Sequence, residues 1–187
     1  MPDQAAPAPE TRPVYIPLTA QERWDDYVKR SFSLGAVTGR GARIGVTNLW
    51  SNNPPEWGRG AEGYGKRFAS DFSRAWMRRG MESAGAYALG QDPRYIRCPC
   101  NNAFKRVGHA MSQAVLTYDN DGNRVFGTAR VGSRYAAAMI ETTWFPDRYS
   151  WKDGFREGSQ SFIGVGLFNV VREFWPDIRG KFGRKKD

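Results

Sequence analysis

The chain has 187 residues, a formal net charge of +9 and a mean hydropathy of −0.63. This length suits one domain with its own core, and a hydrophobic content of 40% argues against wholesale disorder. Two cysteines exclude a disulfide-rich scaffold, and no apolar run approaches the roughly eighteen residues of a transmembrane helix. The positive charge either favours an acidic partner or only keeps the domain soluble.

Three regions are expected from composition along the chain. Residues 1–18 are rich in proline, which predicts an extended tail or linker. They contain no positively charged segment followed by an apolar one, so they do not have the pattern of a signal peptide. We expect a helical domain at residues 19–178 and a basic C-terminal tail at residues 179–187.

Three helices are predicted in the first half from apolar residues that recur every three or four positions. The first begins at Thr19, where Thr19 and Glu22 form a capping-box pattern, and it is expected to end at Gly35. The second helix is predicted over residues 35–50 and the third over residues 59–89, and a proline follows each of them closely.

Three more helices are predicted in the second half, over residues 102–118, 129–143 and 153–175. Pro176 is expected to end the last one. A short hairpin across residues 114–128 is the one expected exception to helical structure. The predicted fold class is therefore all-α, a compact, glycine-rich bundle of about five or six amphipathic helices.

Small residues spaced four apart recur through these helices, and such spacing lets helix backbones approach closely. Each glycine inside a helix costs about 1 kcal/mol of helix propensity, so these helices need tertiary or membrane support. The residues predicted to set helix packing are Gly35, Gly39, Gly65, Ala69, Gly80, Ala84, Gly154 and Gly158.

Cys98 and Cys100 are separated by one residue, and His109 is the only histidine. A structural zinc site needs four ligands, usually from a wider cysteine spacing, so no metal and no cofactor are predicted. A redox-active pair, an intermolecular disulfide and two incidental thiols in a loop all stay open for the cysteines. His109 is expected to pack against a neighbouring helix rather than to act as a general base, and no catalytic residue is predicted.

Arginines alternate with aromatic residues along the third predicted helix. The arginines are Arg67, Arg74, Arg78 and Arg79. Such arginines contact phosphates while exposed aromatic rings stack on bases, so a basic nucleic-acid-binding module is one hypothesis. The same spacing fits aromatic residues in the core and arginines on a solvated face. No recognisable nucleic-acid-binding motif supports the first interpretation.

The C-terminal end combines an apolar helix, a tryptophan and several basic residues. Tryptophan favours membrane interfaces, and each Lys or Arg near the surface adds about 1 kcal/mol of attraction to anionic head groups. A soluble bundle with glycines at tight crossings is the plainer alternative, and no small-molecule substrate is identifiable. The residues expected to contact anionic lipid or a membrane protein partner are Trp175, Arg179, Lys181, Arg184, Lys185 and Lys186.

Four sequence strings occur together in the chain. They are Trp57-Gly58-x-Gly60-x-x-Gly63-Tyr64-Gly65-x-Arg67-Phe68, Gly90-Gln91-Asp92-Pro93-Arg94-Tyr95, Gly108-His109-Ala110 and Asn169-Val170-Val171-Arg172-Glu173-Phe174-Trp175-Pro176-Asp177. In this combination, residues 19–180 resemble a group of uncharacterised bacterial proteins, many of which carry export signals. The resemblance implies an envelope location and no particular activity or cofactor. This sequence departs from the group because it shows no leader.

The leading hypothesis from the sequence is a non-enzymatic helical protein associated with the bacterial cell envelope, either peripheral or a subunit of a larger assembly. The location would be membrane-associated or periplasmic, and a cytoplasmic one is not excluded. A basic nucleic-acid-binding module is the first alternative. A redox or metal protein that uses Cys98 and Cys100 is the second.

Overall fold

The computed structural model describes the backbone of residues 15–183 and the side chains of residues 15–180. Six helices lie within this part of the chain: α1 (Ala20–Phe32), α2 (Leu34–Trp50), α3 (Ala61–Ala88), α4 (Ala103–Ser112), α5 (Thr128–Glu141) and α6 (Trp151–Gly183). A hairpin of two short strands, β1 (Leu116–Tyr118) and β2 (Arg124–Phe126), separates α4 from α5. The predicted all-α class is confirmed.

The long helix α3 is the centre of the packing, because it contacts α1, α2 and α5. Helix α5 in turn packs on α6, and α6 packs on α4. The buried hydrophobic side chains are all alanines except one isoleucine. They are Ile44, Ala75, Ala86, Ala110, Ala114, Ala129, Ala137 and Ala138. A core built mostly from alanine brings helix axes close together, and polar side chains occupy much of the remaining interior.

The start of α1 follows the sequence prediction, but its end does not. The capping box is present, because Thr19 Oγ1 accepts from the backbone N–H of Glu22 and Glu22 Oε2 accepts from that of Thr19. Ser33 ends α1 and also caps α2, where its hydroxyl accepts from the N–H of Ala36. The prediction that Gly35 ends the first helix is therefore wrong, because the first helix ends at Phe32 and Ser33 caps a second helix that begins before Gly35.

The segment after α4 is a hairpin rather than a continuation of the helix to residue 118. β1 and β2 pair antiparallel, with Leu116 opposite Phe126. Asp119 Oδ1 closes the turn by accepting from the N–H groups of Asp121 and Asn123 at 3.0 and 2.8 Å. The turn chemistry outweighs the helical spacing here, so the hairpin predicted across residues 114–128 is confirmed and the helical end at residue 118 is wrong.

Helix α6 is longer at its C-terminal end than predicted, because Pro176 lies inside it. Proline has no N–H, so the helix continues without a hydrogen bond to the carbonyl of Arg172, four residues earlier. Both residues are exposed, and water can satisfy that carbonyl. The prediction that Pro176 ends the helix is wrong, and Arg179 lies in the helix rather than in a separate tail.

The segment before α1 is attached to the domain where the structure describes it. Tyr15 donates a hydrogen bond to Asp92 Oδ2 at 2.6 Å, and its ring stacks on Tyr118. Arg94 donates to the carbonyl of Ile16 at 3.0 Å. Residues 15–18 therefore pack against the domain, and residues 1–14 of the predicted tail lie outside the described residues.

The predicted helix-packing residues fall into three groups: a tight crossing, an ordinary contact and open positions. A Cβ on Gly154 would lie 2.8 Å from the carbonyl oxygen of Ala138, and one on Gly158 would lie 2.7 Å from the Tyr135 ring. These two glycines therefore sit where α6 crosses α5. A Cβ on Gly80 would make only ordinary contact with Tyr27, at 3.8 Å.

The other predicted packing residues lie in open positions. A Cβ at Gly35, Gly39 or Gly65 would meet no heavy atom of another element within 4 Å among the described residues. Ala69 and Ala84 are exposed on α3. Small size at these five positions is not required by any close helix crossing in the described part of the chain.

Candidate anion-binding site

Two adjoining cavities of about 470 and 450 Å³ lie where α3, α5 and α6 meet. They share five lining residues, and these are Arg78, Arg79, Arg134, Val165 and Phe168. Because the same side chains line both, the cavities form one depression, which we call the arginine cleft. Helix α2 borders its first cavity, and the loop after α3 borders the second.

The arginine cleft carries a large excess of positive charge. Nine arginines line the two cavities, against three carboxylates, Asp71, Glu82 and Glu157. The nine are Arg30, Arg40, Arg43, Arg74, Arg78, Arg79, Arg130, Arg134 and Arg172. So many positive charges on one concave surface focus the electric field and attract anions.

Six of these arginines already have carboxylate partners. The pairs are Arg30 with Asp26, Arg40 and Arg43 with Asp71, Arg74 with Glu141, and Arg78 and Arg130 with Glu82. Arg74 also pairs with Glu157. These contacts fix the arginines of α2, α3 and α5 as the rigid walls of the cleft.

Arg79, Arg134 and Arg172 have no ion-pair partner among the side chains that the structure describes. Arg79 donates to the carbonyl of Arg30, and Arg172 lies over the ring of Tyr95. The Nε of Arg134 is buried and has no hydrogen-bond partner. Since a buried N–H donor without an acceptor is costly, this guanidinium needs an acceptor that the described part of the chain does not supply.

The environment of these arginines opposes their charge. Burial, together with the positive charges of Arg78 and Arg40, lowers the pKa of Arg79 to about 10. Burial, followed by the positive charge of Arg78, lowers the pKa of Arg134 to about 10 as well. The pKa of Arg172 is lowered by burial as well. A bound anion would remove this electrostatic penalty, because it supplies the missing countercharge.

One wall of the cleft is apolar and belongs to α6. Val165 and Phe168 line both cavities, and Gly164 lines the first without adding a side chain. Phe168 keeps 61% of its surface exposed, so it stands at the mouth of the cleft rather than inside it. The cleft therefore has cationic walls on α3 and α5 and an apolar edge on α6.

The arginines that the sequence singled out on α3 have different roles in the structure. All five N–H donors of Arg67 are engaged, and its acceptors are Asn48 Oδ1, Asn52 Oδ1 and the carbonyls of Asn53, Pro54 and Gly58. Arg74 is held by carboxylates, as described above. Only Arg78 and Arg79 of the predicted set line both cavities of the cleft.

Cys98 and Cys100 form a disulfide with each other, with 5.1 Å between their Cα atoms. His109 Nε2 lies 3.0 Å from the carbonyl oxygen of Ile96, and Gln113 contacts both. The histidine therefore packs between α4 and the preceding loop. None of these residues lines the arginine cleft.

The C-terminal residues predicted to bind lipid are only partly described. Trp175 and Arg179 are exposed on α6. The side chain of Lys181 lies outside the described side chains, and Arg184, Lys185 and Lys186 lie outside the described residues. Within residues 15–183, no helix has the length and apolar character needed to cross a membrane.

Sequence reasoning missed Arg134 and Arg172, the two cleft arginines outside α3 that lack a carboxylate partner among the described side chains. One signal was present, because Arg130 and Arg134 are four apart on one helix, as are Arg74 and Arg78. Like charges at this spacing destabilise an isolated helix. A repeated pattern of this kind indicates that the fold supplies countercharges or that a ligand does.

Comparison of the chain with known protein families, with curated proteins and with solved structures gave no match. In the part of the chain that the structure describes, no three His, Cys, Asp or Glu side chains cluster where they could hold a metal ion.

Proposed function

We propose that the protein binds an anionic ligand with a phosphate group in the arginine cleft, as a non-enzymatic component of the bacterial cell envelope. The observation that carries this proposal is the placement of Arg79 and Arg134 beside the same two cavities, with no carboxylate partner among the described side chains of residues 15–180. Both side chains are half-buried, and a charge that is partly removed from water is unfavourable without a countercharge.

A phosphate group suits this arrangement better than a single carboxylate does. Its oxygens are spread in three directions and can accept from several guanidinium groups at once, whereas a carboxylate is planar. Arginine matches phosphate geometry with paired N–H donors and keeps its charge when partly buried. Arg79, Arg134 and Arg172 supply donors from three different helices, α3, α5 and α6, around one depression.

Binding rather than catalysis is favoured by the state of the other cleft residues. The carboxylates of Asp71, Glu82 and Glu157 all pair with arginines, so none is free to take a proton from a bound group. The envelope part of the proposal rests on the resemblance carried by the four sequence strings.

The proposal is tested by isothermal titration calorimetry with inorganic pyrophosphate as the probe. The variants are Arg79→Gln and Arg134→Gln, singly and together, which keep a polar side chain but remove the positive charge. Arg156→Gln is the matched control, because Arg156 is an exposed arginine of α6 outside the cleft. We expect each cleft variant to weaken binding by on the order of tenfold, the usual cost of a charge-assisted hydrogen bond, and the control to bind like wild type.

Equal weakening in all three single variants would overturn the proposal, because it would mean diffuse attraction to a basic protein. Binding that disappears at moderate salt in every variant would have the same meaning. Circular dichroism and urea unfolding of each variant establish that a loss of binding is not a loss of folding.

A further inference from the structure

Five large apolar side chains are exposed along the C-terminal half of α6. Two of them are adjacent in sequence and the others follow at intervals of three or four residues, which places all five on one side of the helix. We call this surface the α6 apolar face, and its members are Leu167, Phe168, Val171, Trp175 and Ile178, with between 42% and 61% of each residue exposed. A contiguous apolar surface of this kind on a soluble protein indicates an interaction site.

The α6 apolar face is continuous with the arginine cleft. Phe168 belongs to both, since it lines the two cavities and is also exposed on the helix. Arg172 lies one turn further along α6 and lines the second cavity, and Val171 and Trp175 stand exposed on either side of it in sequence. A ligand in the cleft therefore has cations beside its charged group and an apolar strip leading away from it.

We infer that the ligand of the arginine cleft is an anionic lipid, whose phosphate lies among Arg79, Arg134 and Arg172 and whose acyl chains lie along the α6 apolar face. This inference rests on the proposed function, and it adds that the ligand is an amphiphile in a membrane surface. The protein then lies on the bilayer with α6 toward the lipid.

Charge and shape favour a lipid over the two other occupants of this surface. A soluble phosphate compound would neutralise the arginines but would leave the α6 apolar face in water, which is unfavourable. A second copy of the chain would cover the apolar face, but it would bring another positively charged cleft and a net charge of +9 against the first. A lipid supplies both the negative charge and the apolar chains.

The residues on the outer part of α6 also match a membrane interface. Trp175 is a side chain that prefers the boundary between head groups and acyl chains. Arg172 and Arg179 flank it at distances of about one turn, and both are exposed, so their charges can reach phosphate groups in the head-group layer. Helices of this kind lie in the interface plane with the apolar side down.

The test is flotation of the full chain with three kinds of vesicle: phosphatidylcholine alone, phosphatidylcholine with phosphatidic acid, and phosphatidylcholine with phosphatidylserine. Val171→Ser combined with Trp175→Ser removes most of the α6 apolar face, and Ile178→Ser is a milder variant if the first does not fold. Leu49→Ser combined with Trp50→Ser is the matched control, because both residues are exposed on α2 and neither lines the cleft.

We expect wild type to float with phosphatidic acid vesicles at low and high salt, and the control to do the same. The α6 variants should need on the order of tenfold more lipid while still binding inorganic pyrophosphate, because the arginines are intact. The double variant Arg79→Gln with Arg134→Gln should lose both the binding of vesicles and the binding of pyrophosphate.

Two results would overturn the lipid inference. One is flotation of the α6 variants like wild type, and the other is wild-type protein that binds pyrophosphate but no vesicle. Either would leave the arginine cleft as a site for a soluble phosphate compound. Failure of the proposed function is distinct, since pyrophosphate binding by the arginine variants would then equal that of wild type.

Discussion

Arg130 and Glu82 form a buried ion pair between α5 and α3, with 3.1 Å between Arg130 Nε and Glu82 Oε1. The remaining four N–H donors of Arg130 reach backbone carbonyls, which belong to Asp92, Arg94, Gln113 and Leu116. One guanidinium thus joins two helices, the end of α4, the hairpin and the loop after α3. Although it lines the cleft, it has no donor left for a ligand.

Replacement of Arg130 by Met should therefore destabilise the fold strongly. It would leave Glu82 buried with only Arg78 as a partner and would deprive the carbonyls of Arg94, Gln113 and Leu116 of their donor. The fourth carbonyl, that of Asp92, would keep the hydroxyl of Thr117 as its donor. We expect the free energy of unfolding to fall by about 3–5 kcal/mol, as for other buried pairs broken on one side. Urea unfolding measures this loss of stability. The control is Arg156→Met, on the exposed side of α6, whose free energy of unfolding should change by less than about 0.5 kcal/mol. Similar midpoints for the two variants would contradict this role of Arg130.

The comparison of Arg67, Arg130 and Arg134 shows why the helices were predictable and the site was not. Helical spacing is a local property, so α3, α5 and most of α6 follow from the sequence. The role of an arginine depends on its partners, and those of Arg130 range from residue 82 to residue 116. Two arginines of α5 therefore differ in role. Arg130 uses all its donors to hold the fold together, whereas Arg134 keeps an unpaired donor beside the cleft.

The mispredicted helix ends have local physical causes. Gly35 was expected to end α1, but Ser33 does so because its hydroxyl caps the next helix. Pro176 was expected to end α6, but an exposed carbonyl four residues earlier makes its missing N–H tolerable. In both cases a residue with a general preference for helix ends was outweighed by solvent or a neighbouring cap, which the residue type alone does not reveal.

Glycines on α6 and α3 should respond to alanine in opposite directions. Gly154→Ala would place a Cβ 2.8 Å from the Ala138 carbonyl oxygen and 2.9 Å from the Met139 Cα, both backbone atoms that cannot move freely. We expect a loss of about 1–3 kcal/mol from this overpacking. A Cβ on Gly65 meets no heavy atom of another element within 4 Å among the described residues, so the gain in helix propensity of Gly65→Ala should stabilise the protein by about 0.5–1 kcal/mol.

Thermal unfolding of both glycine variants beside wild type measures this difference. The two positions are a matched pair, because each is a glycine within a long helix and only the surroundings differ. A higher melting temperature for Gly154→Ala than for Gly65→Ala would show that α5 and α6 do not cross closely at Gly154.

Glu141 should make stability depend on pH near neutrality. Burial raises the pKa of its carboxyl from 4.5 to about 7, against the opposing charge of Arg74, and the nearby carboxylates of Glu157 and Asp71 also raise it. The folded state therefore holds this proton between pH 4.5 and 7, where the unfolded state has released it. The contribution to stability is complete below about pH 4.5 and is lost as pH rises through 7.

Glu141→Gln is the variant that isolates this effect, since glutamine keeps the shape and does not titrate. The free energy of unfolding of wild type, relative to the variant, should fall by on the order of 3 kcal/mol from pH 4.5 to pH 7.5, at about 1.4 kcal/mol per unit of pKa shift. Urea unfolding of both proteins at several pH values measures this difference in free energy. Titration of Asp92 and Glu173 affects wild type and variant equally, so it cancels in the difference. A constant difference across this range would mean that Glu141 is ionised throughout.

The Cys98–Cys100 disulfide should contribute little to stability. Its sequence separation is two residues, so it closes a very short loop and removes little conformational freedom from the unfolded chain. We expect reduction, or Cys98→Ser with Cys100→Ser, to lower the free energy of unfolding by less than about 2 kcal/mol. Maleimide labelling followed by mass spectrometry should find no free thiol in the unreduced monomer and two after reduction. Labelling of the unreduced monomer, or a disulfide-linked dimer, would show instead that these cysteines are incidental thiols or pair between chains.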